Sequence, residues 1–185
     1  MQPMRVVITA LINLVALVGF AQPVYMTRSG QVSFFSRTPL ENIEAVNNEV
    51  SSMINTETGD IVFAVLIKGF HFEKALMEEH FNENYLESDK LPKSTFQGKI
   101  TNLTDIPFDK EGSFPALVEG DLTIHGVKRH ITSSGTIAVS GGKILINAAF
   151  KVRLADFKVE RPSLVANKIA EIVDVSLRCH YDPKS

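Results

Sequence analysis

Strict alternation of apolar and polar residues near the carboxyl end constrains the fold more than any other feature of the sequence. Successive side chains of a β-strand point to opposite faces, so alternation predicts a strand with one buried face and one solvated face. The clearest case has Val173, Val175, Leu177 and Cys179 between polar or charged neighbours. The same period of two recurs in residues 94–100, 118–124 and 144–152.

Short polar or glycine-containing segments separate these stretches. Residues 55–60 (NTETGD), His125-Gly126 and residues 140–142 (SGG) are typical of hairpin turns. Ser29-Gly30 is expected to be a further turn, and a β-bulge is expected near Asn47-Asn48. The pattern predicts an all-β chain with one or two short helices, either a barrel or a sandwich. A closed antiparallel barrel of about eight strands is favoured because closure removes unpaired edge strands.

Two segments depart from the alternation. Residues 61–67 (IVFAVLI) are uniformly apolar, which predicts a strand covered on both faces. Residues 73–86 have helical periodicity, and the helix is expected to place Phe72, Leu76 and Phe81 against the barrel, over that apolar strand. A second, irregular stretch predicts a helical turn in residues 164–170.

The first residues are predicted to be a cleaved secretory signal. Residues 1–5 carry one positive charge, residues 6–20 are almost wholly apolar, and small residues precede a cleavage point after Ala21. The apolar run is shorter than the roughly 18–20 residues of a membrane span, and a retained anchor helix is the alternative. We therefore expect a signal peptide in residues 1–21 and one barrel domain in residues 22–185, periplasmic or secreted, without a permanent membrane anchor.

Composition argues against several classes of function. The formal net charge is −2 and no basic face is evident, so a nucleic-acid partner is not expected. The one cysteine, Cys179, cannot form an internal disulfide and is expected to be buried and inert. No phosphate-binding glycine loop and no Gly-x-Ser-x-Gly motif occurs in the sequence.

Histidines and carboxylates give weak support for metal binding or acid–base catalysis. His71 and His80 lack a ligand spacing, and His125 and His130 could meet across a hairpin but lack a third ligand. His80 is interpreted as a packed histidine bonded to the backbone. The acids of residues 73–89 are interpreted as the solvated face of a helix. No metal site, cofactor or catalytic residue is predicted.

A surplus of apolar side chains remains on the predicted inner faces of the strands. Periodicity alone leaves two interpretations open, a filled core and a ligand cavity. Ile144 and Val173 belong to the same inner faces. The residues predicted to line a cavity are Val32, Phe34, Ile61, Phe63, Val65, Phe96, Ile100, Val118, Leu122, Ile124, Ile146, Phe150, Val175 and Leu177.

Two long motifs resemble the YceI-like family, and the resemblance extends over residues 23–181. The first comprises Phe70-His71-Phe72, residues 77–88 (MEEHFNENYLES) and residues 91–98 (LPKSTFQG); the second is residues 118–128 (VEGDLTIHGVK). The resemblance implies an extended, lipocalin-like antiparallel barrel with an apolar tunnel. It also implies a long isoprenoid ligand, such as a quinone or a polyprenyl compound, and no other cofactor.

Three functional hypotheses follow. The leading one is an exported binding protein that holds a long apolar lipid for carriage or sequestration, with self-association into a homodimer left open. The first alternative is a filled barrel that acts as a structural, interaction or stress-response protein of the envelope. The second is an enzyme acting on a lipid in the cavity, with His71, His80 or His125 as the acid–base group.

Overall fold

The computed structural model describes residues 24–163 and 165–182, in which the chain forms one closed antiparallel sheet. The predicted signal, residues 1–21, lies outside the described residues, as does Leu164 of the predicted helical turn; turns occupy residues 165–168. Within this part of the chain, the strands are β1 (Val24–Arg37), β2 (Asn42–Asn55), β3 (Asp60–Leu66), the two-residue β4 (His71–Phe72), β5 (Lys93–Ile100), β6 (Gly112–Ile124), β7 (Val127–Ser140), β8 (Lys143–Arg153) and β9 (Ile172–Tyr181).

β1 closes the barrel because it pairs along both of its edges. Phe34 is opposite Ala45 of β2 on one side and opposite Val175 of β9 on the other. The order around the barrel is β1-β9-β8-β7-β6-β5-β3-β2, and every neighbouring pair is antiparallel. The predicted all-β class and the closed antiparallel barrel are therefore confirmed.

Predicted hairpin turns join three of the strand pairs. β2 ends at Asn55 and β3 begins at Asp60, and a two-residue turn at 141–142 joins β7 to β8. His125 and Gly126 join β6 to β7 with φ angles of 50° and 71°. Two successive positive φ angles are the geometry of the turn that matches the twist of paired strands, which explains a glycine at this point.

Because neighbouring strands are antiparallel, the connections between them alternate between the two ends of the barrel. Segments 38–41, 67–92, 125–126 and 154–171 lie at one end, called here the helical end, and segments 56–59, 101–111 and 141–142 lie at the other. The helical end carries α1 (Ala75–His80), which continues as a π-helical turn over Phe81–Tyr85.

The predicted turn at Ser29-Gly30 is wrong, because β1 runs through it without interruption. The pairing with β2 shifts on either side of Gly30, which indicates two compensating irregularities, and one of them lies at the predicted bulge after Asn47. A Cβ atom on Gly30 would lie 2.4 Å from Cys179 Sγ. The glycine therefore permits close approach of β1 to the interior rather than a reversal of the chain.

The predicted cover of β3 by the helix is also wrong. The apolar run ends as a strand at Leu66, which is 45% exposed, and Ile67 begins a short 3₁₀ turn. α1 is shorter than expected and contacts β4 instead. Leu76 is 61% exposed and His80 is exposed, so neither packs against the barrel wall.

β7 and β8 separate at the helical end. Their pairing covers only Gly135–Ser140 of β7, and the first half of β7 pairs with β6 alone. The 3₁₀ turn Leu154–Phe157 lies against β7, where Arg129 Nε donates to the Asp156 carbonyl oxygen at 3.0 Å. Phe157 and Val159 are buried and fill the gap between the strands.

Candidate functional site: an apolar cavity inside the barrel

The barrel is hollow. A cavity of about 560 Å³ lies between the inner faces of the strands and opens at the helical end. Its size is within the range of about 300–1,000 Å³ typical of small-molecule sites. The register explains the lining: Val118, Leu122 and Ile124 share one face of β6, and the residues between them point outward.

The structure brings every predicted lining residue to this cavity. The residues from Val32 to Leu177 proposed above all line it, and so does Val173. Ile144 does not line it but is buried in the core cluster at the opposite end. That these side chains contact a ligand stays a prediction.

Four phenylalanines that line the cavity are in contact with one another, one on β1 and three in the segment 67–92. Phe34 of β1 stacks on Phe81 at a centroid distance of 5.5 Å, and Phe70 and Phe72 contact both rings at 5.1–5.8 Å. Sequence reasoning placed Phe72 and Phe81 on a packing face but missed their place in the cavity wall. The two-residue spacing of Phe70 and Phe72, which puts both rings on one side of an extended segment, is the signal that could have shown it.

The rim of the cavity combines charged and apolar side chains. Lys74 Nζ forms an ion pair with Glu41 Oε1 at 3.1 Å, and both residues line the opening together with Leu76, His80 and Lys168. An apolar interior with a charged rim suits a ligand whose bulk is apolar. Leu76 therefore lies at the opening of the cavity, and this position accounts for its high exposure.

The opposite end of the barrel is closed, and its buried thiol and phenol stay protonated at neutral pH. Tyr181 is buried, and its hydroxyl shares a hydrogen bond of 2.6 Å with Ser52 Oγ. Burial raises the pKa of the Cys179 thiol to about 12, and it also raises the pKa of Tyr181. A thiol that stays protonated at neutral pH is a poor nucleophile.

The histidines do not converge on one site. His125 Nε2 lies 3.2 Å from Glu87 Oε2, whereas His130 Nδ1 lies 3.1 Å from Asp121 Oδ1. His71 is exposed, with Nδ1 3.6 Å from Glu78 Oε2. The predicted approach of His125 to His130 is replaced by these separate pairs, and the packed, backbone-bonded role predicted for His80 is wrong because that residue is exposed. Among the described residues, no group of three metal-ligating side chains is found.

Glu87 connects the helical segment to the β6–β7 turn. Lys90 and then His125 hold the pKa of its carboxyl below the usual value through hydrogen bonds. Of the other acids in this segment, Glu73, Glu79 and Glu83 are exposed, and Glu78 accepts the Phe72 N–H at 3.2 Å. The acids therefore serve as a solvated surface and as anchors for local backbone, not as a converging pair.

No helix in the described ranges combines the length and the hydrophobicity that a bilayer span requires.

The sequence profile of the YceI-like domain matches residues 25–181. Solved structures share the fold, among them the following three. A polyisoprenoid binding domain from Saccharophagus degradans, implicated in plant cell wall breakdown, gives a TM-score of 0.77 at 14% identity, over 88% of this chain and 99% of that chain.

Burkholderia cenocepacia BcnA gives a TM-score of 0.68 at 16% identity, over 83% of this chain and 96% of that one. The Campylobacter jejuni YceI protein gives 0.57 at 17% identity, over 75% and 84%. At these identities the likeness establishes the fold alone. No curated protein sequence matches the chain significantly.

Proposed function

This chain belongs to the YceI-like family, and from that premise we propose that its barrel binds one long apolar lipid of the polyisoprenoid type, for carriage or sequestration after export. The observation that carries the proposal is the cavity of about 560 Å³ with its almost wholly apolar wall. Removing the apolar surface of a lipid from water supplies about 25 cal/mol per Å², less the cost of ordering the chain.

The ligand class rests on two supports. The Saccharophagus degradans structure, whose fold is shared, is described as a polyisoprenoid binding domain. The residues that line the cavity extend from Ile100 near the closed end of the barrel to Leu76 at the rim, so the cavity is elongated. A long, branched hydrocarbon chain fits such a space better than a compact ligand does.

Export is a further part of the proposal. Residues 1–21 have the charge, apolar run and small-residue cleavage point of a secretory signal, which supports the proposal that the mature protein is periplasmic or secreted. Amino-terminal sequencing of protein isolated from its host should begin at Gln22. An amino terminus at Met1 on the isolated protein would contradict the proposed export and would not bear on the proposed lipid binding.

Lipid binding is tested by organic extraction of protein purified from its native host, followed by mass spectrometry. The expected result is a polyisoprenoid lipid in about equimolar amount. Extracts that contain no lipid above the level of a similarly purified, unrelated exported protein would overturn the proposal.

The two alternatives gain no support from the described residues. The hollow interior argues against a filled barrel, and the histidines proposed as acid–base groups lie apart and, for His71 and His80, in solvent. An enzyme would need a group poised inside the cavity near its substrate.

A further inference from the structure

Exposed apolar side chains concentrate at the open end of the barrel. Within the described part of the chain, six large apolar side chains are exposed, and four of them lie at the helical end: Leu40, Leu66, Leu76 and Ile172. The other two, Met26 and Leu117, lie nearer the closed end. Single exposed apolar residues are ordinary, but a group of them around the mouth of an apolar cavity indicates an interaction surface.

Leu40 and Leu76 stand on the same side of the mouth. Leu40 precedes Glu41, and Leu76 follows Lys74 by two residues, so the ion pair between Lys74 Nζ and Glu41 Oε1 holds the two leucines near each other. They are the most exposed of the four, at 64% and 61%. Leu76 lines the opening, whereas Leu40 lies outside the cavity wall.

The turn that carries Leu40 is held in one shape. The Thr38 N–H donates to the Glu41 carbonyl oxygen at 3.0 Å, and the Thr38 hydroxyl oxygen accepts the N–H groups of Leu40 at 3.3 Å and Glu41 at 3.0 Å. Tips of turns are usually polar or glycine-rich, but here Pro39 and Leu40 are both exposed. Because the turn is already ordered, little conformational entropy is lost when its leucine enters an apolar phase.

The charges at the opening fit a phospholipid surface. Glu41, Lys74 and Lys168 line it, and because Glu41 is paired with Lys74, the second lysine gives the opening an excess of positive charge. Lysine ammonium groups contact lipid phosphates while their carbon chains lie along apolar surface. The exposed acids Glu73, Glu79 and Glu83 do not line the opening.

The small apolar area favours a bilayer over a second protein. A stable protein interface needs about 1,000 Å² of buried surface, which a few separate apolar side chains do not supply. Reversible attachment to a membrane scales with the apolar area inserted, so a few side chains suffice for it.

We propose that the helical end docks reversibly on a phospholipid bilayer, with Leu40 and Leu76 inserted below the headgroups and the lysines of the opening against the phosphates. This inference rests on the proposed lipid-binding function and names the source of the ligand. The lipid passes between bilayer and cavity through the docked mouth, so its tail moves along apolar surface and does not cross water.

The first test measures partition of the purified mature protein onto phosphatidylcholine vesicles by co-sedimentation. The wild-type protein should bind, and Leu40→Ser/Leu76→Ser should reduce the partition coefficient about tenfold or more, because burial of even one leucine side chain is worth that factor. Met26→Ser/Leu117→Ser is the matched control, since it removes two exposed apolar side chains away from the mouth and should bind normally. Equal reduction in both double variants, or no binding by the wild type, would overturn the inference.

A second test locates the inserted residue. Cys179 is buried and its pKa is raised to about 12, so a polarity-sensitive fluorophore attached to Leu40→Cys labels that position alone. Its emission should shift to shorter wavelength when vesicles are added, whereas the same label on Met26→Cys should not respond. An unchanged spectrum at position 40, or the same shift at both positions, would contradict docking by the helical end.

A third measurement separates docking from lipid binding. Leu40→Ser should slow the transfer of a fluorescent polyprenol from vesicles to the protein several-fold. Its equilibrium affinity for the same polyprenol delivered on cyclodextrin should equal that of the wild type, because Leu40 lies outside the cavity wall. An unchanged transfer rate would refute docking and leave lipid binding intact, whereas failure of the wild type to bind polyprenol from cyclodextrin would contradict the proposed function itself.

Discussion

Adjacent residues of one strand have opposite environments in this barrel. Ala148 of β8 lines the cavity, whereas Ala149 is exposed on the outer surface; Val118 lines the cavity, whereas Leu117 is 50% exposed. A shift of pairing by one residue would exchange the two sets. The same substitution can therefore be made at either residue of such a pair, and the two variants differ only in whether the new side chain points into the cavity or outward.

Replacing Ala148 by Phe should abolish most lipid binding, because the ring would occupy space in the cavity that the ligand needs. We expect the apparent affinity for a polyprenol to fall about tenfold or more, which corresponds to about 1.4 kcal/mol or more. Ala149→Phe adds the same ring outside and should bind normally. Equal binding by the two variants, measured by equilibrium dialysis, would show that the cavity is not the site.

Gly30 is required where β1 approaches the buried cysteine. Gly30→Ala would bring a methyl group against Cys179 Sγ, and we expect a loss of about 1–3 kcal/mol in the free energy of unfolding. Adding Cys179→Ala removes the sulfur and should recover part of that loss. Urea denaturation of the single and double variants measures the coupling, and simple additivity would contradict the proposed contact.

At the level of elements, the strands and the hairpin turns were predictable, the turn at Ser29-Gly30 was predicted wrongly, and the helical segment was predictable only in part. Period-two alternation and polar hairpin sequences depend on near neighbours, which the sequence displays directly. Helical periodicity identified Leu76 and Phe81 as members of one face, but it could not show that Phe81 joins an aromatic cluster while Leu76 meets solvent. That difference depends on where the segment docks.

The separation of β7 from β8 was not predictable either. No local pattern distinguishes the half of β7 that pairs with β8 from the half that does not. The filling of the gap by Phe157 and Val159 depends on the path of a chain segment that carries no strand pattern.

Phe81 is expected to control the release of the lipid. Phe81→Ala removes the ring that contacts Phe34, Phe70 and Phe72, and it should raise the rate of lipid dissociation several-fold as well as lower stability by about 1–3 kcal/mol. Phe35→Ala, on the outer side of β1 beside Arg37, is the control. Stopped-flow transfer of a fluorescent polyprenol to vesicles measures the rate, and identical rates in the two variants would exclude a role for the aromatic cluster in release.

At the scale of the whole molecule, the closed barrel and its inner faces were predictable, but its hollowness was not. Alternation states which side chains point inward, whereas the volume left between them depends on barrel width, strand tilt and the packing of all inner faces at once. Small inward residues such as Gly135 and Ala148 leave space that larger residues would fill. Every residue in the predicted lining does line the cavity, but the prediction lacked Ser36, Ser94, Thr95 and Ala116. It also lacked all the cavity residues of β7 and those of the helical end.

The central claim, that a lipid lies inside the barrel, is tested most directly by nuclear Overhauser contacts between a bound polyprenol and the methyl groups of isotopically labelled protein. Contacts are expected from the methyl groups of Val118, Leu122 and Val175, which line the cavity, and not from those of Leu117, which points outward. Contacts confined to Leu117 and other outer-surface methyl groups, or none from the three inner residues at saturating lipid, would contradict the account.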